Sequence, residues 1–240
     1  MMGEVRVLVV GASGGIGRHV ALALAQPGVE LVVHGRREDE RLASLVREVQ
    51  ERGSEPRTVI REIERADDIL QDIGAWLPLD VVVVSFGPML RKAVVDTEVH
   101  EWRRMAELNF VLPAAVVSAC LPSMTERGYG RILLFGGTGT EQVRGFRSIA
   151  AYSAAKTALG SVVKSVARQT AGHDICINGL CPGFVDTEYY GEAERRHARS
   201  LAPGGEMIDP EEVARLAAYL LSRENRGTTG AVIPVDGGRG

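Results

Sequence analysis

The sequence predicts an α/β fold: a doubly wound parallel sheet of about seven strands with helices on both faces, in three layers. Three observations carry this. Short β-branched runs alternate with helical segments along the whole chain, which calls for a parallel sheet with crossover helices. The first run, Val5–Val10, is apolar except for Arg6 and breaks off in a glycine cluster, as a strand buried on both faces does. No composition shift, repeat or low-complexity linker divides the 240 residues, so a single domain over 1–240 is expected.

The elements follow in order. Residues 15–26 read as a helix that Pro27-Gly28 stops. Residues 31–34 form a second strand, and 42–51 a helix closed at Gly53. A third strand covers 58–61 and a short helix 66–73. The fourth strand, 80–84, carries four consecutive valines. A long helix runs over 98–124, with Pro113 expected to kink or break it. Then come a strand at 131–135, a helix at 151–170, a strand at 174–180, a helix at 210–222 and a last strand at 231–235. The loops 136–149 and 182–209 are long and follow strands, so both belong at the sheet edge where ligands bind.

Composition narrows the function. Hydrophobic residues are 45% and charged residues 25%, which excludes a disordered chain. The net charge, 28 − 31 = −3, gives no basic field for nucleic acid, and 5 Phe, 5 Tyr and 2 Trp are too few for a base-stacking surface. The apolar runs fall far short of the ~20 residues of a membrane helix, and no signal peptide is recognisable. Cys120, Cys176 and Cys181 have no metal-ligand spacing, so no metal is expected and a reducing, cytoplasmic setting is.

Three motifs carry chemistry. Gly11-Ala12-Ser13-Gly14-Gly15-Ile16-Gly17 leads from the first strand into the first helix. Its glycines let backbone amides approach an anion at a helix N-terminus. No Lys-Ser or Lys-Thr follows, which rules out a P-loop. The stretch Gly11–Gly15 also fits the G-x-S-x-G nucleophile elbow, but His100, His173 and His197 lie in no recognisable triad setting. After the second strand, where an acidic residue would bind an NAD ribose, the chain reads His34-Gly35-Arg36-Arg37. Two guanidinium groups attract a 2′-phosphate, which favours NADP(H) over NAD(H). Tyr152 and Lys156 are four apart on one helix face, and an ammonium beside a phenol lowers its pKa from about 10.

With these residues in place, the chain resembles the short-chain dehydrogenase/reductase family, and the 3-oxoacyl-acyl-carrier-protein reductases in particular, over essentially its full length. Gly11, Gly15 and Gly17 match the G-x-x-x-G-x-G cofactor loop, and Tyr152 and Lys156 the Tyr-x-x-x-Lys pair. Asn109 matches the asparagine of the proton relay, Pro182-Gly183 with Thr187 the turn beside the nicotinamide, and Gly230 with Asp236-Gly237-Gly238 the closing strand. The resemblance implies a Rossmann-type fold that transfers hydride between NADPH and a carbonyl or secondary alcohol. Tyr152 would exchange the proton, and Lys156 would hold the ribose and depress the Tyr152 pKa. It further implies Ser13, Gly14, Ile16, Glu62, Ile63, Ser85, Gly87 and Val185 as cofactor contacts.

The chain departs from the family pattern at Val10, at Val84-Ser85-Phe86-Gly87 and, above all, at Gly137, which stands where the family has a serine. Thr138, or Thr140, is the expected substitute hydroxyl. That departure leaves a second reading open, an NADP-binding relative with little catalysis. The loop 183–209 would cover the substrate. Its Tyr189, Tyr190, Arg195, Arg196, His197 and Arg199 would greet an anionic substrate or, with Glu192 and Glu194, form a solvated helix face. A homo-oligomer, dimer or tetramer, would pack through the two long helices.

Overall fold

The computed structural model describes residues 5–239. Seven parallel strands form one sheet in the order β3-β2-β1-β4-β5-β6-β7. They are β1 (Val5–Val10), β2 (Val29–Gly35), β3 (Glu55–Ile60), β4 (Val81–Val84), β5 (Tyr129–Phe135), β6 (Asp174–Pro182) and β7 (Val232–Val235). The helices between them are α1 (Gly15–Leu24), α2 (Glu40–Glu51), α3 (Ala66–Trp76), α4 (Val99–Ala106), α5 (Leu112–Arg127), α6 (Ala150–Gln169), α7 (Glu192–Leu201) and α8 (Pro210–Leu221). The expected doubly wound architecture is therefore present.

Strand alternation builds two cores. Leu8, Val10, Val82, Val84, Ile132 and Leu134 point to one face, where α3, α5 and α6 cover them with Ile69, Val116 and Leu159. Val7, Val9, Val81, Val83, Leu133 and Phe135 point to the other, against Val20 of α1, Leu45 of α2 and Val213 of α8. Both faces of the central strands are buried, which is why they read as valine runs rather than alternating polar and apolar residues.

Two expectations need correction. The helix at 98–124 is three segments: α4, a π-helical turn Glu107–Val111, and α5. Pro113 has no N–H to give the carbonyl four residues back, at Asn109, and the Leu112 N–H bonds instead to the Glu107 carbonyl. The strain is thus absorbed as a π turn upstream of the proline rather than as a break at it. The stretch Val99–Arg127 is also long and apolar enough to cross a membrane by length and composition, with mean hydropathy 1.5. Here its Leu108, Leu112, Val116, Cys120 and Met124 are buried against the sheet. Second, the loop 182–209 contains α7, which buries only Ala198 and so carries almost no apolar stripe to read.

The order of strands reverses between β1 and β4, so the crevice beyond their carboxyl ends is where a ligand fits. Val10 pairs with Val84, and the Ser85 N–H bonds to the Val10 carbonyl at 3.0 Å, which sets the glycine loop beside the β4 turn.

Candidate active site

A cleft of about 1240 Å³ opens at that edge. Gly11, Ser13, Gly14, Gly15, Ile16, Arg36, Arg37, Ser85, Gly87, Thr138, Tyr152, Lys156, Pro182, Gly183, Val185 and Thr187, all expected from sequence, line it. Four expected residues do not. Gly17 lies behind the loop, where a Cβ would strike the Gly11 carbonyl and the Ser85 hydroxyl, so its glycine serves close packing. Ile63 is a core residue. Glu62 stands at the surface in an ion pair with Arg36. Asn109 is fully buried behind the cleft wall.

The glycine loop is held from below. The Ser85 hydroxyl sits 3.2 Å from both the Val10 and Gly11 carbonyls. The Gly11 N–H donates to Nδ1 of His34 at 3.1 Å, while His34 Nε2–H donates to the Arg61 carbonyl at 2.8 Å. Accepting on one nitrogen and donating on the other requires neutral imidazole, and burial lowers the His34 pKa accordingly. Sequence reasoning missed this role, since no periodicity marks a hydrogen bond across strands.

The α1 N-terminus faces an anion already. Its Gly15 N–H donates to the Glu188 carboxylate at 2.9 Å, with Arg41 3.9 Å from the same oxygen. The Tyr189 ring lies over Gly14 and Gly15, and Arg41 lies over that ring at 5.7 Å. A carboxylate thus stands in for a phosphate at the loop, and the donor geometry fits an anionic cofactor group. Arg41, on α2, is a cleft cation not anticipated from sequence.

Tyr152 and Lys156 arise from the first turns of α6 and share its inner face. Lys156 Nζ donates to the Phe135 carbonyl at 2.8 Å, and a Cβ on Gly87 would meet both Lys156 Nζ and Asn109 Oδ1. Asn109 Nδ2 donates to the Pro88 carbonyl at 3.0 Å; its Oδ1 is buried without a partner among the described residues. Burial pushes the Tyr152 phenol up to about 12 and pulls the Lys156 ammonium down to about 8. Desolvation is the first cause of both shifts, the buried phenol and the buried ammonium each favouring its neutral form.

At the missing serine, a Cβ on Gly137 would stand 2.6 Å from the Tyr152 hydroxyl. Glycine therefore lets the phenol close onto the end of β5. The Thr140 hydroxyl is spent on its own turn, accepting from Gly137 N–H at 2.8 Å and lying 2.9 Å from the Gly137 carbonyl. Thr138 lines the cleft, with its hydroxyl donating to the Pro182 carbonyl at 3.1 Å.

Comparison with known proteins places the chain in a family. A family model described as enoyl-(acyl carrier protein) reductase matches residues 11–239. The chain is 30% identical to the 3-oxoacyl-acyl-carrier-protein reductase of Aggregatibacter actinomycetemcomitans, covering 97% of this chain and 98% of the relative. It is also 30% identical to the gluconate 5-dehydrogenase of Gluconobacter oxydans, over 97% and 93%. A crystal structure of 3-oxoacyl (acyl-carrier-protein) reductase from Agrobacterium tumefaciens C58 with NADP bound superposes with a TM-score of 0.87 at 25% identity, covering 99% and 95%. The chain belongs to the short-chain dehydrogenase/reductase family of oxidoreductases and is similar to its 3-oxoacyl-acyl-carrier-protein reductases.

Proposed function

We propose that the protein is an NADP(H)-dependent carbonyl reductase or alcohol dehydrogenase in which Tyr152 exchanges the substrate proton. One observation carries this reading: a protonated phenol and an amine on one face of α6 open into the same cleft as the glycine loop. The cofactor supplies hydride to the carbonyl carbon. The chain does the rest. The Gly14–Gly15 amides at the start of α1 take the pyrophosphate, and Arg36, Arg37 and Arg41 present cations for a 2′-phosphate. The relative from Agrobacterium tumefaciens, with NADP bound, supports that choice. Pro182, Gly183, Val185 and Thr187, with Ser85 and Gly87, line the same cleft and would hold the nicotinamide end.

Tyr152, whose pKa burial raises, gives its proton to the carbonyl oxygen. The Lys156 ammonium would resupply it, with Asn109, whose Oδ1 also faces Gly87, holding a relay water. Thr138 turns from the Pro182 carbonyl to donate to the substrate oxygen in place of the absent serine. The relatives act on a carrier-bound 3-oxoacyl group and on gluconate, so the substrate is a small carbonyl or alcohol compound. We further propose a cytoplasmic homo-oligomer, joined through the partly buried Ala114, Leu121, Ala158 and Val162 on α5 and α6, with neither nucleic acid nor membrane as partner.

The test is NADPH consumption with a panel of ketones, aldehydes and 3-oxoacyl esters. Turnover supports the enzyme. A melting temperature raised by NADPH with no turnover anywhere favours the alternative of a non-catalytic NADP-binding relative, for which Gly137 speaks.

A further inference from the structure

The basic residues of the substrate loop are already spent. Arg195 Nε pairs with Asp186 at 2.7 Å and its Nη2 donates to the Thr187 carbonyl at 2.9 Å. Arg199 approaches Asp186 at 4.0 Å, and Arg196 approaches Glu192 at 3.6 Å. None of the three lines the cleft. Among the cations that do line it are Arg91, in the turn after β4, and Arg147, in the loop before α6.

These segments run side by side. The Lys92 N–H donates to the Ser148 carbonyl at 2.6 Å, and Lys92 and Ile149 form a parallel bridge. Arg91 stands one residue before Lys92 and Arg147 one residue before Ser148, on the two paired segments. Their placement relative to the chemistry is fixed, because Leu90 and Ile149 pack into the small cluster that holds Tyr152, Ala151 and Met105. Lys92 is neutralised by Glu101, whose two oxygens lie 2.8 and 2.9 Å away. Arg91 and Arg147 have no hydrogen-bond or ion-pair partner among the described residues, and both line the cleft. The one carboxylate lining this end, Glu194, accepts the Gly191 N–H at 2.9 Å. Both guanidinium groups line the same cleft and are open to an anion there.

We propose that Arg91 and Arg147 recognise an anionic group, a carboxylate or a phosphate monoester, carried by the carbonyl substrate. This rests on Tyr152 as the proton donor. Both arginines are exposed, so the attraction is screened by salt and sets KM rather than kcat.

The experiment compares matched ketones with NADPH: 3-oxobutanoate against its methyl ester, and dihydroxyacetone phosphate against dihydroxyacetone. The anion of at least one pair is expected to show a KM lower by about tenfold, rising with salt. In the Arg91→Ala/Arg147→Ala double variant that advantage disappears, while KM for the neutral ketone and both kcat values stay put. Which pair responds separates carboxylate from phosphate. Equal KM within both pairs, or an anion advantage that survives the double variant, overturns the proposal while leaving the reductase reading intact. If no ketone is reduced, the reductase reading fails. The arginine pair is then judged by the melting temperature of the NADPH-loaded protein with 3-hydroxybutanoate or its methyl ester. Stabilisation by the anion alone, lost in the double variant, supports the pair; equal shifts from both compounds overturn it.

Discussion

Lys156 is the residue whose environment is most costly. Its ammonium is buried, and the one short hydrogen bond it makes is to the Phe135 carbonyl. Burial brings its pKa from 10.5 to about 8, so between those values the unfolded chain binds more protons than the folded one. Lys156 on its own therefore adds stability as pH rises through that window, whereas the buried Cys120 thiol and Tyr152 phenol, whose pKa values are raised, subtract it above their ordinary values. The difference in urea midpoint between wild type and Lys156→Met should shift in favour of the wild type as pH rises through that window; a difference that stays flat or shifts the other way would contradict it. Glu188 gives a second prediction at this scale. Its carboxylate holds the Gly15 N–H that a pyrophosphate needs, so Glu188→Gln should tighten NADPH binding by about two- to fivefold, one exposed charge–dipole contact being worth ~0.3–1 kcal/mol. Weaker binding by titration would mean that Glu188 supports the loop rather than competing for it. Tyr152 and Lys156 were legible in the sequence because helical spacing alone joins them. His34 and Glu188 were not, because their partners lie 23 and 173 residues away.

Among the elements, the π turn before α5 connects sequence to site most directly. Pro113 denies an amide to the Asn109 carbonyl, and the resulting π register turns Asn109 toward Pro88 and the Gly87 wall. Pro113→Ala restores that amide. We expect α-helical register through Asn109, carbonyl reduction down by about tenfold or more, and a melting temperature no lower than wild type, since an interior proline costs ~3 kcal/mol. Unchanged turnover would dissociate the turn from the chemistry. A proline was visible in the sequence, but which carbonyl it freed depended on where the helix lay. The β2 end is simpler, because the two arginines at the strand tip, the proposed ligands of a 2′-phosphate, are adjacent in the sequence and line the cleft. Arg36→Ala with Arg37→Ala should weaken NADPH by about tenfold and leave NADH unchanged, measured by titration. An unaltered preference would refute the arginine argument. The valine strands were equally plain, since burial on both faces leaves no polar alternation. α7 was not, because a helix that buries one alanine carries no stripe.

For the whole molecule, one buried residue ties the sheet to the far side. Arg131 is fully buried and donates to the carbonyls of Ser222, Asp174 and Asn225 and to the Asp174 carboxylate. Arg131→Met strands those acceptors and should cost about 3–5 kcal/mol, or on the order of 10 °C in melting temperature for a domain this size. A shift under about 2 °C by calorimetry would show that the network is dispensable. The doubly wound architecture delivers the glycine loop, the β4 turn and the start of α6 to one edge, and on the proposed function that convergence is what would let a buried phenol act on a bound carbonyl. The most direct test of this central claim is Tyr152→Phe, measured for NADPH oxidation with a substrate found in the ketone panel and for melting temperature with NADPH. The account predicts that turnover falls by at least about a hundredfold, within the range of general acid catalysis, while NADPH still stabilises the variant. Turnover that survives in Tyr152→Phe would contradict it.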